Sequence, residues 1–122
     1  MRILVCGGRD YLDYTTLSKT LDKVLYGKVE DIPDDVTIIQ GGAKGADFLA
    51  KVYCYCFGWG GISCEEYPAD WKKYGRAAGH IRNQQMLDEG KPDLVVAFPG
   101  GRGTADMMSK AKAHGIEVKE VK

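Results

Sequence analysis

The fold is decided by residues 93–104, which read DLVVAFPGGRGT. The first half of this stretch is apolar and rich in valine, the composition of a strand that is covered on both faces. A glycine-rich turn, Pro99–Thr104, follows the strand directly. Beyond the turn, Met107, Met108 and Ala111 have the spacing of the buried side of a helix. A buried strand, a tight turn and a helix in this order are typical of a parallel α/β sheet.

The same order of strand, glycines and helix recurs upstream. Apolar segments rich in β-branched residues predict five strands, at Arg2–Cys6, Val36–Gln40, Ile62–Glu66, Asp93–Phe98 and Ile116–Val121. Between them, apolar residues recur every three or four positions from Tyr14 to Leu25 and from Ala46 to Phe57, which predicts two helices. A further helix with weaker patterning is predicted at Ala77–Glu89.

The connections complete the prediction. Turns are predicted at residues 32–35 and 58–61, and Tyr67–Gly79 shows no period, so we expect a long irregular connection there. Strands that alternate with helices predict a parallel sheet with helices on both faces. Because 122 residues suit one domain, we expect a single Rossmann-like α/β domain that spans residues 1–122 and has about five parallel strands.

The composition excludes several classes of protein. Apolar residues make up 44% of the chain, too many for a disordered one. Acidic and basic residues number 17 each, so the net charge is zero and exerts little long-range attraction on nucleic acid or an anionic membrane. No apolar run approaches the roughly 20 residues of a membrane helix. The chain opens on a strand rather than on a signal peptide, so we expect a cytoplasmic protein.

The four cysteines do not have the spacing of a metal site. Cys54 and Cys56 point to different sides of a helix, and no CxxC pair accompanies them. We therefore expect reduced thiols that are mostly buried, with neither a metal nor a resident cofactor.

Three glycine-rich turns follow predicted strands. They contain Gly7 and Gly8, then Gly41, Gly42 and Gly45, then Gly100, Gly101 and Gly103. In a parallel sheet all three lie at the carboxyl edge, where ligands bind, and a helix that begins after such a turn directs free N–H groups at an anion. Neither GxGxxG after the first strand nor GxxxxGK[ST] occurs, which disfavours an ordinary NAD dehydrogenase and a P-loop kinase.

The motifs resemble a known superfamily. Pro99–Thr104 is similar to the PGGxGT signature of the Lonely Guy (LOG) phosphoribohydrolases and of the wider SLOG superfamily, which includes the DprA/Smf proteins. The chain is more similar still to its YspA-like branch of bacteria and phages. The matching blocks are Gly7–Asp10, Gln40–Asp47, Tyr67–Gly75, Ile81–Leu87 and Pro99–Met107. The resemblance implies a nucleotide or nucleotide-derived ligand whose phosphate lies on the last block.

The resemblance to LOG enzymes implies a catalytic role for Arg82 but fails at a second position. The LOG motif continues to a catalytic glutamate where this chain has Met107. Cleavage of an N-glycosidic bond needs a carboxylate near the oxocarbenium-like transition state, which methionine cannot supply. Asp106 is adjacent, about 100° away around the helix, and Asp70 is a second substitute. A LOG-like hydrolase is therefore the alternative to a binding protein.

Further residues flank the turns. The resemblance implies that Arg82 holds a phosphate, where the residues alone favour an exposed helix arginine. Arg102 fits either a phosphate ligand that folds over the anion or a side chain that turns to solvent, and Thr104 lies at the start of the helix. Lys44 adds a positive charge, and Arg9 is expected near the ligand. The carboxylate of Asp10 fits either the cap of the first helix or a ribose-binding group, and Asp47 fits a helix-start residue favoured by the dipole.

The connection Tyr67–Gly79 mixes aromatic and basic residues. Trp71 and Tyr74 are candidates to stack on a base, although a lid packed on its own aromatics is an equal alternative. Interleaved aromatic and basic side chains also suit single-stranded nucleic acid, the third hypothesis, which the zero net charge disfavours. His80 and His114 are expected to be surface or structural residues. The resemblance alone implies a homodimer or a higher homo-oligomer.

Overall fold

The computed structural model describes residues 1–26, 35–56 and 62–122. Its five strands form one parallel sheet in the order β3-β2-β1-β4-β5. The strands are β1 Arg2–Cys6, β2 Val36–Gln40, β3 Ile62–Glu66, β4 Leu94–Ala97 and β5 Glu117–Glu120. The helices are α1 Tyr14–Tyr26, α2 Ala46–Cys56, α3 Trp71–Tyr74, α4 Ala78–Gly90 and α5 Arg102–Ala113. The prediction of a Rossmann-like α/β fold is confirmed.

The sheet is covered on both faces because successive side chains of a strand point to opposite sides. In β1, Ile3 and Val5 belong to one apolar cluster, together with the buried sides of α1 and α2. Leu4 and Cys6 belong to the other, with residues of α4 and α5. These four residues of β1 are all buried, which explains the unbroken apolar run that the sequence shows there.

The strand order locates the site. β1 is adjacent to β4, and the chain leaves these two strands toward opposite faces of the sheet, into α1 and α5 respectively. A crevice opens at such a switch point, outside the carboxyl ends of the strands. The turns after β1 and β4 border it, so two of the three predicted glycine turns meet there.

The structure differs from two predictions about where helices begin. Asp13, not Asp10, caps α1, since its carboxylate accepts from the backbone N–H of Thr16 at 3.0 Å. The segment predicted to be irregular contains α3 and a 3₁₀ turn at Gly75–Ala77. These elements are too short for an apolar period, and Asp70 defines the start of α3 by accepting from the N–H of Lys73 at 3.1 Å.

Other predictions have mixed outcomes. Cys6 and Cys54 are buried, as predicted, but Cys56 and Cys64 are exposed, so the prediction of mostly buried thiols is wrong for two of the four. Residues 32–34 of one predicted turn, Phe57, and the turn at residues 58–61 lie outside the described residues. No helix in the described part of the chain has the length and apolar character needed to cross a membrane.

Candidate functional site

The three glycine turns pack against one another at the carboxyl edge of the sheet. The N–H of Gly8 donates to the carbonyl of Pro99 at 2.9 Å, and the N–H of Ala46 donates to the carbonyl of Gly8 at 3.2 Å. Gly100 lies so close to the first turn that a Cβ atom there would be 2.6 Å from the nitrogen of Gly8. Gly45 has a φ of 78°, which favours glycine. The glycines therefore allow three loops to form one floor.

A cavity of about 400 Å³ opens above this floor. Gly7, Gly8 and the first residues of α5, Arg102–Thr104, form part of its wall. The first N–H groups of a helix lack partners within the helix and carry its positive dipole end. The predicted phosphate turn therefore presents its donors to an open space.

Four arginines line this cavity from four separate segments, namely Arg9, Arg76, Arg82 and Arg102. None of them forms a salt bridge with any carboxylate in the described ranges 1–26, 35–56 and 62–122. The whole chain has no net charge, yet these four arginines outnumber the carboxylate of Asp47, which also lines this cavity. Such a cavity attracts an anion at short range.

Arg82 lies at the centre of the site, on α4. Its Nη1 donates to the carbonyl of Gly41 at 2.6 Å, and its Nε donates to the side-chain oxygen of Asn83 at 3.3 Å. Burial lowers the pKa of Arg82, although the nearby carboxylate of Asp47 opposes this effect. A Cβ at position 41 would clash with the guanidinium. Gly41 therefore makes room for the arginine, and the arginine crosses from α4 to the second turn.

Asp47, in the first turn of α2, supplies the carboxylate among the residues that line this cavity. It is 7% exposed, and it accepts from the N–H of Ala43 at 3.3 Å. Burial raises its pKa to about 6, while Arg82 opposes the increase. The sequence predicted only a helix-start role for this residue. The sequence feature that could have indicated a site role is its position two residues after Gly45, the last glycine of the second turn.

A second cavity, of about 540 Å³, lies on the other side of Arg82. Arg9, Arg82 and Trp71 line both cavities. Asp10 and Lys44 line the second alone. Since Arg82 separates two open spaces, a ligand longer than one phosphate has room to contact it from both sides.

The two carboxylates predicted as substitutes for the missing glutamate have other partners. Asp106 accepts from Lys110 at 2.7 Å and from Asn83 at 3.0 Å, and it pairs with His80 at 3.1 Å. Burial raises its pKa, but these hydrogen bonds outweigh burial and hold the pKa below its usual value. Asp70 caps α3. Neither residue lines either of the two cavities.

The predicted aromatic pair is divided. Trp71 is 49% exposed and lines both cavities, and the guanidinium of Arg9 lies 5.2 Å from the centre of its ring. Tyr74 contacts Lys73, whose ammonium lies 5.0 Å from the ring centre, and it borders neither cavity. The structure thus brings only Trp71 to the site.

Sequence analysis missed a positioning residue, Asn83. It is buried at 5% exposure and donates to the carbonyl of Gly103 at 3.1 Å, which ties α4 to the first turn of α5. The amide also holds Asp106, so the carboxylate adjacent to Met107 serves to fix the phosphate turn. Asn83 lies three and four residues before the apolar Met86 and Leu87, which places it on their side of α4, and this spacing was the available signal.

Comparison with known proteins agrees with the resemblance inferred from the motifs. Residues 1–74 match the model of a family described as "YspA, cpYpsA-related SLOG family". Gene 61 protein of Mycobacterium phage D29 is 35% identical over 121 residues, which cover 96% of this chain and 93% of that protein. Because the match to the phage relative covers 96% of this chain, it extends past residue 74. The chain belongs to the YspA, cpYpsA-related SLOG family.

Proposed function

We propose that this chain binds a nucleotide or a nucleotide-derived ligand, with a phosphate at the start of α5. Membership in the SLOG family supports a nucleotide-type ligand in general terms. The observation that carries the proposal is the set of four arginines around the cavity, none of which forms a salt bridge with a carboxylate within the described residues. Arg82 is half-buried and the other three are exposed, so a bound anion would accept hydrogen bonds from Arg82 and be attracted by the charges of the other three.

The phosphate has a defined place in this proposal. The N–H groups of Arg102, Gly103 and Thr104 provide its fixed donors, and Arg82 approaches from α4. Backbone N–H groups bind an anion without loss of side-chain entropy, and a guanidinium adds two parallel hydrogen bonds. The space next to Trp71 accepts the base or sugar, and the second cavity accepts a further group beyond Arg82.

Thermal unfolding with a panel of ligands tests this proposal. The panel contains nucleoside monophosphates and diphosphates, dinucleotides, sugar nucleotides, and the parent nucleosides as controls without phosphate. A true ligand at 100 times its Kd stabilises the fold by about 2.7 kcal/mol, roughly 10 °C for a domain of this size. Nucleosides should have no effect. The proposal fails if no phosphate-bearing compound raises the melting temperature.

An oligothymidylate belongs in the same panel, since DprA-like binding of single strands is the competing function. Contacts to many phosphates make such binding weaken steeply with salt. A shift with the oligonucleotide alone, abolished by 200 mM salt, would replace the mononucleotide proposal. The cavity is enclosed on several sides by α4, α5 and α3, which favours a small ligand.

A second candidate function, hydrolysis of the N-glycosidic bond of a nucleoside monophosphate, is favoured by Asp47. Its carboxylate shares the 400 Å³ cavity with Arg82 and is ionised at pH 7, because its pKa of about 6 lies below neutrality. A buried carboxylate next to a bound phosphoribosyl group is suited to stabilise an oxocarbenium-like transition state and to orient water.

Release of free base from nucleoside monophosphates measures this second function. Asp47→Asn should abolish release, whereas Asp106→Asn and Asp70→Asn should retain it when these proteins are folded. Base release that survives Asp47→Asn would contradict the role of Asp47. Binding without any release would leave a ligand-binding protein.

A further inference from the structure

A second group of reactive side chains lies away from the ligand cavities, between α2 and the edge strand β3. Cys54 on α2 and Cys64 on β3 are neighbours, and each thiol shifts the pKa of the other. Both line a separate cavity of about 360 Å³, together with Gln40 and Lys51. Cys54 is 5% exposed, whereas Cys64 is open to solvent. The pair therefore has one accessible sulfur and one protected sulfur.

The neighbours of Cys64 stabilise its thiolate. Gln40, which is fully buried, donates from Nε2 to the sulfur of Cys64 at 3.7 Å, and the neighbouring thiol of Cys54 donates to the carbonyl of Ser63 at 4.0 Å. The ammonium of Lys51 lines the same cavity and pairs with Glu66 at 3.5 Å. These contacts, first among them that of Cys54, lower the pKa of Cys64. The thiolate is the nucleophilic form of cysteine.

We propose that Cys54 and Cys64 form a reversible disulfide when the protein meets a hydroperoxide. In the first step the thiolate of Cys64 attacks a peroxide oxygen, the O–O bond breaks, and a sulfenic acid forms with release of water or an alcohol. In the second step the sulfur of Cys54 attacks the sulfenic sulfur and displaces a second water. Two thiols lose two electrons and the peroxide gains them, and a dithiol reductant reverses the reaction.

Gln40 links the Cys54–Cys64 pair to the second glycine turn, so disulfide formation would alter the surroundings of that turn. The amide oxygen of Gln40 accepts from the N–H of Gly42 at 2.5 Å, while its nitrogen donates to Cys64 and to Glu66. Bond formation draws the two sulfurs to about 2.0 Å and removes the thiolate that Gln40 contacts. The environment of the Gly42 N–H therefore changes on oxidation.

Peptide mapping by mass spectrometry tests the proposal. The full-length reduced protein is treated with hydrogen peroxide, alkylated, digested without reduction, and compared with a sample reduced again by dithiothreitol. We expect a linked Cys54–Cys64 peptide that has lost two hydrogen atoms, and its loss after reduction. Cys56→Ser is the matched control, since Cys56 is exposed on the same helix, and it should form the same linked peptide.

Two further variants separate the steps. Cys54→Ser should stop at the sulfenic acid of Cys64, which dimedone traps, and Cys64→Ser should yield no linked peptide. In amide NMR spectra of the unmodified chain, the Gly42 resonance should shift on oxidation and return on reduction. A linked peptide that contains Cys56 or Cys6 instead, or oxidation of Cys56 ahead of Cys64, would overturn the proposal. If a variant fails to fold, the peptide map of the wild-type protein still shows whether the Cys54–Cys64 disulfide forms.

Discussion

Arg2 and Arg82 occupy different ends of the sheet and have opposite surroundings. Arg2, the first residue of β1, donates to both carboxylate oxygens of Glu65, at 2.7 and 2.9 Å, and to the carbonyl of Gly90 at 2.6 Å. Arg82, at the carboxyl edge, contacts a backbone carbonyl and a neighbouring amide, and forms no salt bridge with a carboxylate that the structure describes.

The pKa values of the two arginines are shifted in opposite directions, in line with these surroundings. The hydrogen bond that Arg2 donates to Glu65 raises the pKa of Arg2, whereas burial lowers the pKa of Arg82. Folding thus places the first cation in a salt bridge, whereas the second has a nearby carboxylate, Asp47, with which it forms no salt bridge. A partly buried cation without a direct ion pair opposes folding, and its place at a cavity agrees with the anionic ligand proposed above.

The largest expected effect is on ligand binding by Arg82→Met. Loss of a charge-assisted, bidentate contact with phosphate costs about 2–3 kcal/mol, so the Kd for the ligand found in the thermal screen should rise about 100-fold. Isothermal titration measures the change, and the free energy of unfolding without ligand should be unchanged or higher. An unchanged Kd would show that Arg82 is not a phosphate ligand.

Asp47→Asn should change the dependence of stability on pH. The pKa of Asp47 in the folded state, about 6, lies above the ordinary value of 3.8. As pH rises from 4 to 6, the unfolded chain therefore loses this proton before the folded protein does, and stability falls. The variant lacks this fall and should be more stable than the wild type at pH 7 by about 2–3 kcal/mol.

Urea unfolding at pH 4 and pH 7 measures this difference. At pH 4 the advantage of the variant should be much smaller, because Asp47 is then mostly protonated in the folded protein. A variant that is equally or less stable at pH 7 would contradict the statement that burial of the Asp47 carboxylate opposes folding. Asp106→Asn is the control and should show the opposite trend, since the pKa of Asp106 is lowered.

Arg2→Met should affect folding and not binding. Its ion pair with Glu65 is partly exposed, with 33% and 38% of the two side chains accessible, so screening limits the loss of stability to about 1 kcal/mol. The Kd for the ligand should match that of the wild type. Arg82→Met should weaken ligand binding without loss of stability, and Arg2→Met should lower stability without loss of binding. A loss of binding with Arg2→Met would contradict this distinction between the two arginines.

The smallest effect is expected for Arg76→Gln. Arg76 is exposed and borders the ligand cavity, so it acts on a phosphate through water and over a longer distance. The Kd should rise about two- to threefold at low salt, and the difference should vanish near 0.5 M salt because the Debye length shrinks to a few ångströms. A salt-independent loss would instead indicate direct contact.

The sequence predicted the sheet and the glycine turns because both depend on local chemistry. Apolar runs such as Leu94–Ala97 are buried whatever packs on them, and turns such as Gly41–Gly45 need glycine where loops touch. Asp47 and Asn83 were missed as site residues because their roles depend on which loops meet in three dimensions. From the sequence, only Asp10 was considered as the cap of the first helix, whereas Asp13, directly before the first residue of α1, is the cap.

The assignment of Pro99–Thr104 as the phosphate site is tested most directly by an amide NMR titration of the full-length protein. The ligand is the phosphate-bearing compound that gives the largest thermal shift. The phosphate-bound complex should show its largest shifts at the N–H groups of Arg102, Gly103 and Thr104, together with Gly8. The same titration of Arg82→Met should give no saturable shifts at matched concentrations. Saturable shifts that leave Arg102–Thr104 unperturbed would contradict the assignment of this turn as the phosphate site.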